Sequence, residues 1–71
     1  MPKLPRAREV EKVLFQLGFV RMRQSGSHVI YKNKEGMRIP VPTHGGKTIT
    51  IGVFLTVLKD LGMSKEEFWN I

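Results

Sequence analysis

With 71 residues, the chain has room for one domain over residues 1–71, because a second compact unit would need roughly another 50 residues. The absence of cysteine excludes disulfides and thiolate metal sites and fits a reducing compartment. Twelve Lys and Arg against six Asp and Glu leave a formal net charge of +6, which points to a polyanionic partner.

Pro5 suits the first turn of a helix, and Val10, Val13, Leu14 and Leu17 follow at i, i+3, i+4 and i+7 with Arg8, Glu9, Glu11 and Lys12 between them. This spacing predicts an amphipathic helix that Gly18 ends in the left-handed conformation. Phe19-Val20-Arg21-Met22-Arg23 then changes to a two-residue alternation, predicting a strand with Val20 and Met22 inward and Arg21 and Arg23 on the opposite face. Ser25-Gly26-Ser27 signals a turn, and His28-Val29-Ile30-Tyr31-Lys32 reads as a second strand. Its apolar residues fall on both parities. Val29 and Tyr31 are placed inward, because the other choice would bury His28 and Lys32 together.

Asn33-Lys34-Glu35-Gly36 forms the next hairpin connection, leading to a third strand over Met37-Arg38-Ile39-Pro40-Val41-Pro42. Its two prolines lack amide donors, which favours an edge position. Thr43-His44-Gly45-Gly46-Lys47 is a loop, and either Thr48 or Thr50 can cap the following helix. Ile51, Phe54, Leu55, Leu58 and Leu61 trace that helix's apolar stripe up to Gly62. A capping box, Ser64-Lys65-Glu66-Glu67, opens a short last helix whose Phe68 and Trp69 close one edge of the core. The pattern is α+β: an α-β-β-β-α unit with a three-stranded antiparallel sheet, two helices on one face and a short C-terminal helix.

The charge is concentrated in the middle of the chain. Arg21, Arg23, Lys32, Lys34, Arg38 and Lys47 face a single acid, Glu35, whereas residues 60–71 carry Asp60, Glu66 and Glu67 against Lys65. A localised positive field supplies salt-dependent attraction to phosphate, although an ordinary solvated surface has the same composition. The first residues lack the apolar run of a secretory signal, and no stretch approaches the ~18 apolar residues of a membrane span. A cytoplasmic protein without a membrane partner is the expectation.

Few residues can carry chemistry. There is no closely spaced Asp/Glu set for a magnesium pair, no thiol and no phosphate-cradling Gly-x4-Gly-Lys-Ser/Thr loop, so neither a metal nor another cofactor is expected. What remains is His28 at the mouth of the Gly-Ser turn, with Arg21, Arg23 and Arg38 around it, and His44 in the Gly-rich loop. With an unperturbed pKa of about 6.5, histidine can exchange a proton with an RNA 2′-hydroxyl or a leaving 5′-oxygen near neutral pH. Neighbouring cations can stabilise the phosphate's developing charge. An exposed, inert strand histidine has the same local sequence, and Gly45 and Gly46 can serve only to turn the chain.

Gly26-Ser27-His28-Val29-Ile30-Tyr31 resembles the Gly-Ser-His segment of HicA-type (YcfA-like) toxins. Val41-Pro42-Thr43-His44, with Lys47 and Gly52, resembles that family's Val-Pro-x-His, Lys and helix-opening Gly pattern. Gly18-Phe19 and the run from Leu58 to Phe68 look like the corresponding family segments, so the resemblance covers about residues 7 to 69. It implies a domain similar to double-stranded-RNA-binding domains, acting as a toxin that cleaves mRNA without a metal. The family's catalytic histidine falls on His28. The RNA-binding set is then Arg21, Arg23, Ser27, Lys32, Arg38 and Lys47, with His44 positioning substrate. The implied inhibitor is a HicB-type antitoxin covering the His28 face.

A non-catalytic double-stranded-RNA-binding module is the main rival. It needs cations and shape recognition of phosphate and 2′-hydroxyl groups, but no titrating group at a turn mouth. An adaptor using Ile30 and Met37 as a protein-binding patch is a third reading, and such a patch also suits a toxin that must meet an antitoxin.

Overall fold

A computed structural model describes residues 3–43 and 48–71. The order is α1 (Ala7–Gln16), β1 (Val20–Ser25), β2 (His28–Lys32), β3 (Arg38–Pro42), α2 (Ile51–Leu61) and α3 (Lys65–Trp69). The strands form an antiparallel sheet in the order β1-β2-β3. One core cluster joins Val10, Val13 and Leu14 of α1, Val29 and Tyr31 of β2, Ile39 and Val41 of β3, and Phe54, Val57 and Leu58 of α2. Both long helices therefore cover one sheet face, as the α-β-β-β-α pattern predicts.

Local chemistry sets the element ends. Pro5 does not open α1; it lies before the N-cap residue Arg6, buried. There its carbonyl accepts from the Ile49 amide at 2.9 Å, while Arg6 bridges Thr48. An arginine side chain has no acceptor to cap a helix, and Glu9 compensates by accepting the Arg6 amide at 2.9 Å. Gly18, at φ 93°, takes the left-handed turn that ends this segment. Thr50, rather than Thr48, caps α2 by accepting from the Val53 amide at 3.3 Å. The predicted capping box of α3 is present in both directions between Ser64 and Glu67. Phe68 is buried edge-on against Phe54 at 5.0 Å, so the terminal aromatic pair is packing.

The alternation expected of the first strand holds at Arg23 but is reversed at Val20 and Arg21, before it. Phe19 is buried, every residue of β1 is exposed, and Val20 and Met22 are among the most exposed apolar side chains. The cause is a bulge: Arg21 pairs with Tyr31 and Arg23 with Ile30, leaving Met22 without a partner and reversing the parity at that point. The α2 stripe is also rotated, with Val57 inside and Ile51 and Leu55 half exposed. Leu17, beyond the last turn of α1, is 40% exposed rather than inward. Among the described residues, no helix is long and apolar enough to cross a membrane.

Candidate nucleic-acid interface

The β1–β2 turn fixes the position of His28. Its two central residues are Gly26, at φ 60°, and Ser27, whose φ is negative, the pattern of a type II′ turn matched to hairpin twist. The Gln24 side chain donates to the Gly26 carbonyl at 3.1 Å. Thr43 donates to the Ser27 carbonyl from both its amide, at 2.7 Å, and its hydroxyl, at 3.0 Å. The turn is thus tied to the chain leaving β3. His28 follows as the first residue of β2 and is exposed.

The register builds the face around it. Paired residues on neighbouring strands project to the same side. Val29 and Tyr31 are buried against the helices, so His28, Ile30 and Lys32 lie on the outer face. Three cross-strand rows result: Ser25-His28-Pro42, Arg23-Ile30-Pro40 and Val20-Lys32-Arg38. At about 3.3 Å rise per residue, the second and third rows lie roughly 7 and 13 Å along the strand from His28. Arg23 is the cation in the nearer row, with Lys32 and Arg38 beyond it. Long side chains can lean from these positions toward one phosphate backbone.

Arg21 departs from the predicted face. Its partner Tyr31 is an inner residue, and its guanidinium donates to Glu11 Oε2 of α1 at 2.7 Å. The Tyr31 hydroxyl donates to the same oxygen at 2.6 Å. Tyr31's hydrogen bond, with help from Arg21, holds the Glu11 carboxyl below its usual range against the opposing effect of burial. Burial, reinforced by the Glu11 charge, pushes the Tyr31 phenol up to about 12. This network fastens β1 to α1, a role that the sequence pattern does not disclose because the three residues are far apart in the chain.

His28 also lines a pocket of about 250 Å³ between β3 and α2, together with Pro40, Pro42, Gly52, Thr56 and Asp60. Sequence spacing missed this cleft, since no periodicity reveals that α2 passes beside the free edge of β3. Lys47 and His44 fall outside the described residues. Ser27 is exposed at the turn and immediately precedes His28 in the chain. Among the described residues, no group of three or more His, Asp or Glu side chains is gathered closely enough to hold a metal ion.

A three-stranded antiparallel sheet with two helices on one side and a cation-bearing other side defines an α+β fold of the double-stranded-RNA-binding-domain type. Within that class, residues 7–63 match the family described as HicA toxin of bacterial toxin-antitoxin. The chain belongs to this toxin family, and membership implies an antitoxin partner. No individual curated protein matches it.

Proposed function

We propose that this toxin is a metal-independent endoribonuclease that cleaves mRNA, with His28 as the proton-transfer group and the outer sheet face as the RNA-binding surface. The observation that carries the reading is the position of His28. It is exposed at a pinned turn mouth, on the same face as Arg23, Lys32 and Arg38. A histidine there can exchange protons at neutral pH while the cations hold the phosphate in place. Ser27 contributes a hydroxyl beside the scissile group, and Arg21 stands at the margin of the track with its charge shared by Glu11. Lys47 belongs to the proposed RNA-binding set and His44 positions substrate, both carried over from the family's pattern. The antitoxin is of HicB type and masks the His28 face in the cytoplasm.

A non-catalytic RNA-binding module would use the same cations without His28. The two readings separate in a cleavage assay with chelator present, comparing purified wild type with His28→Ala after circular dichroism confirms folding. Removing a general acid or base slows chemistry by about 100- to 10,000-fold. His28 is exposed, so its truncation leaves no core cavity. Full activity in folded His28→Ala would leave the binding module as the better reading.

A further inference from the structure

We propose that the pocket between β3 and α2 is a nucleobase subsite that selects guanine beside the scissile phosphate, with Thr56 and Asp60 reading its edge. The inference rests on the RNA reading of the His28 face, and it names what would be recognised there.

The first argument is one of location and size. His28 forms one wall of the pocket, so a base seated in it places its own ribose and phosphate next to the imidazole. At about 250 Å³ the space lies below the roughly 300–1,000 Å³ of drug-sized sites, which suits a single ring system. Pro40, Pro42 and Val53 supply apolar wall, against which a flat base can lie. Gly52 supplies the opening. Its backbone is not left-handed, and a Cβ built there would meet nothing within 4 Å, so neither conformation nor packing demands glycine. What a side chain would do at this position is take up room at the pocket wall.

The second argument comes from hydrogen-bond polarity. The Thr56 hydroxyl donates to the Gly52 carbonyl at 3.0 Å. Its proton is therefore committed to the backbone, and toward the pocket the oxygen can only accept. An ionised Asp60 is likewise acceptor-only. Two acceptors on adjacent turns of one helix call for a ligand edge with neighbouring donors. Guanine has them in N1–H and N2–H2. Adenine and cytosine offer one amino group, and uracil offers one N–H flanked by carbonyls that would face the carboxylate. A phosphate is repelled by Asp60, so the backbone belongs on the cationic rows and the base belongs in the cleft.

The test uses 2′-fluoro oligonucleotides, which bind but lack the 2′-hydroxyl nucleophile. A single guanine is walked through each position of an otherwise all-uridine tetranucleotide, and affinity for the intact wild-type protein is read by fluorescence anisotropy. One position should bind about tenfold more tightly than uridine, the size of one good carboxylate–base pairing. Asp60→Asn, an exposed substitution, should reduce that gain to about twofold or less without lowering the all-uridine affinity, which loses only a repulsion, and Thr56→Val should reduce it in part. Equal affinity at every position, an undiminished gain in Asp60→Asn, or no binding at all would overturn the subsite. A guanine gain with a wild type that cleaves no RNA would keep the subsite and remove the nuclease.

Discussion

The two edges of the sheet are built from similar material and end in different states. At the β3 edge, Ile39 and Val41 are buried under the helices and Pro42 is buried as well. Its prolines withhold amide donors, and α2 runs beside it to form the pocket that reaches His28. At the β1 edge all six residues are exposed, the strand carries a bulge, and the Arg21–Glu11 pair provides an anchor to α1. A strand's apolar residues stabilise the fold only where another layer covers them. The β3 side is where packing and the proposed chemistry meet, whereas the β1 side leaves Val20 and Met22 to solvent.

Truncation should separate the edges most sharply. Phe54 is fully buried on the inner face of α2, the helix beside β3, against Phe68, so Phe54→Ala should cost about 3 to 5 kcal/mol in denaturant unfolding. Val20, 59% exposed, should change stability by no more than about 0.5 kcal/mol when replaced by Thr. Comparable losses at the two sites would mean that β1 is covered in solution.

A smaller effect is expected at the tether between β1 and α1. Glu11→Gln should cost about 1 kcal/mol at neutral pH, mainly through the Tyr31 hydrogen bond. The sign with pH is fixed by the direction of each shift. Glu11 is held below its ordinary value, so its contribution is present above about pH 4.3 and is lost as pH falls through the lowered value. Tyr31 is raised to about 12, so its contribution is present below about pH 10 and is lost as pH rises toward 12. Melting temperatures across pH should show Glu11→Gln losing the acid limb and Tyr31→Phe the alkaline limb. Unchanged profiles would show that the tether carries no stability.

Much of the architecture is legible in the residues themselves. The i, i+3, i+4 spacing of Val10, Val13 and Leu14 finds α1, Val29 and Tyr31 give the correct inner parity of β2, and two prolines mark β3 as an edge. Three features escape because their causes are non-local. The β1 bulge is set by pairing with β2 and shifts Arg21 to the helix side. Ile49 is fully buried, yet it lies in a connection with no periodic neighbours and is held by Pro5. Val57 replaces Leu55 on the buried face of α2 because the packed neighbours, rather than hydropathy, set that helix's rotation. At the site, position and exposure of His28 were readable from the Gly-Ser turn, whereas the cleft with Thr56 and Asp60 required the tertiary contact of α2 with β3.

The outer-face assignment of RNA binding is tested most directly by the salt dependence of affinity for one uncleavable RNA, measured for wild type, Arg23→Ala and Arg21→Ala. Each phosphate contact contributes about 0.7 to 0.9 to the slope of log affinity against log salt. Arg23→Ala should flatten the slope by nearly that amount. Arg21→Ala should change it much less, because that guanidinium already pairs with Glu11 on the helix side. Equal flattening by both variants, or a slope altered by Arg21→Ala alone, would contradict the placement of RNA on the His28 face.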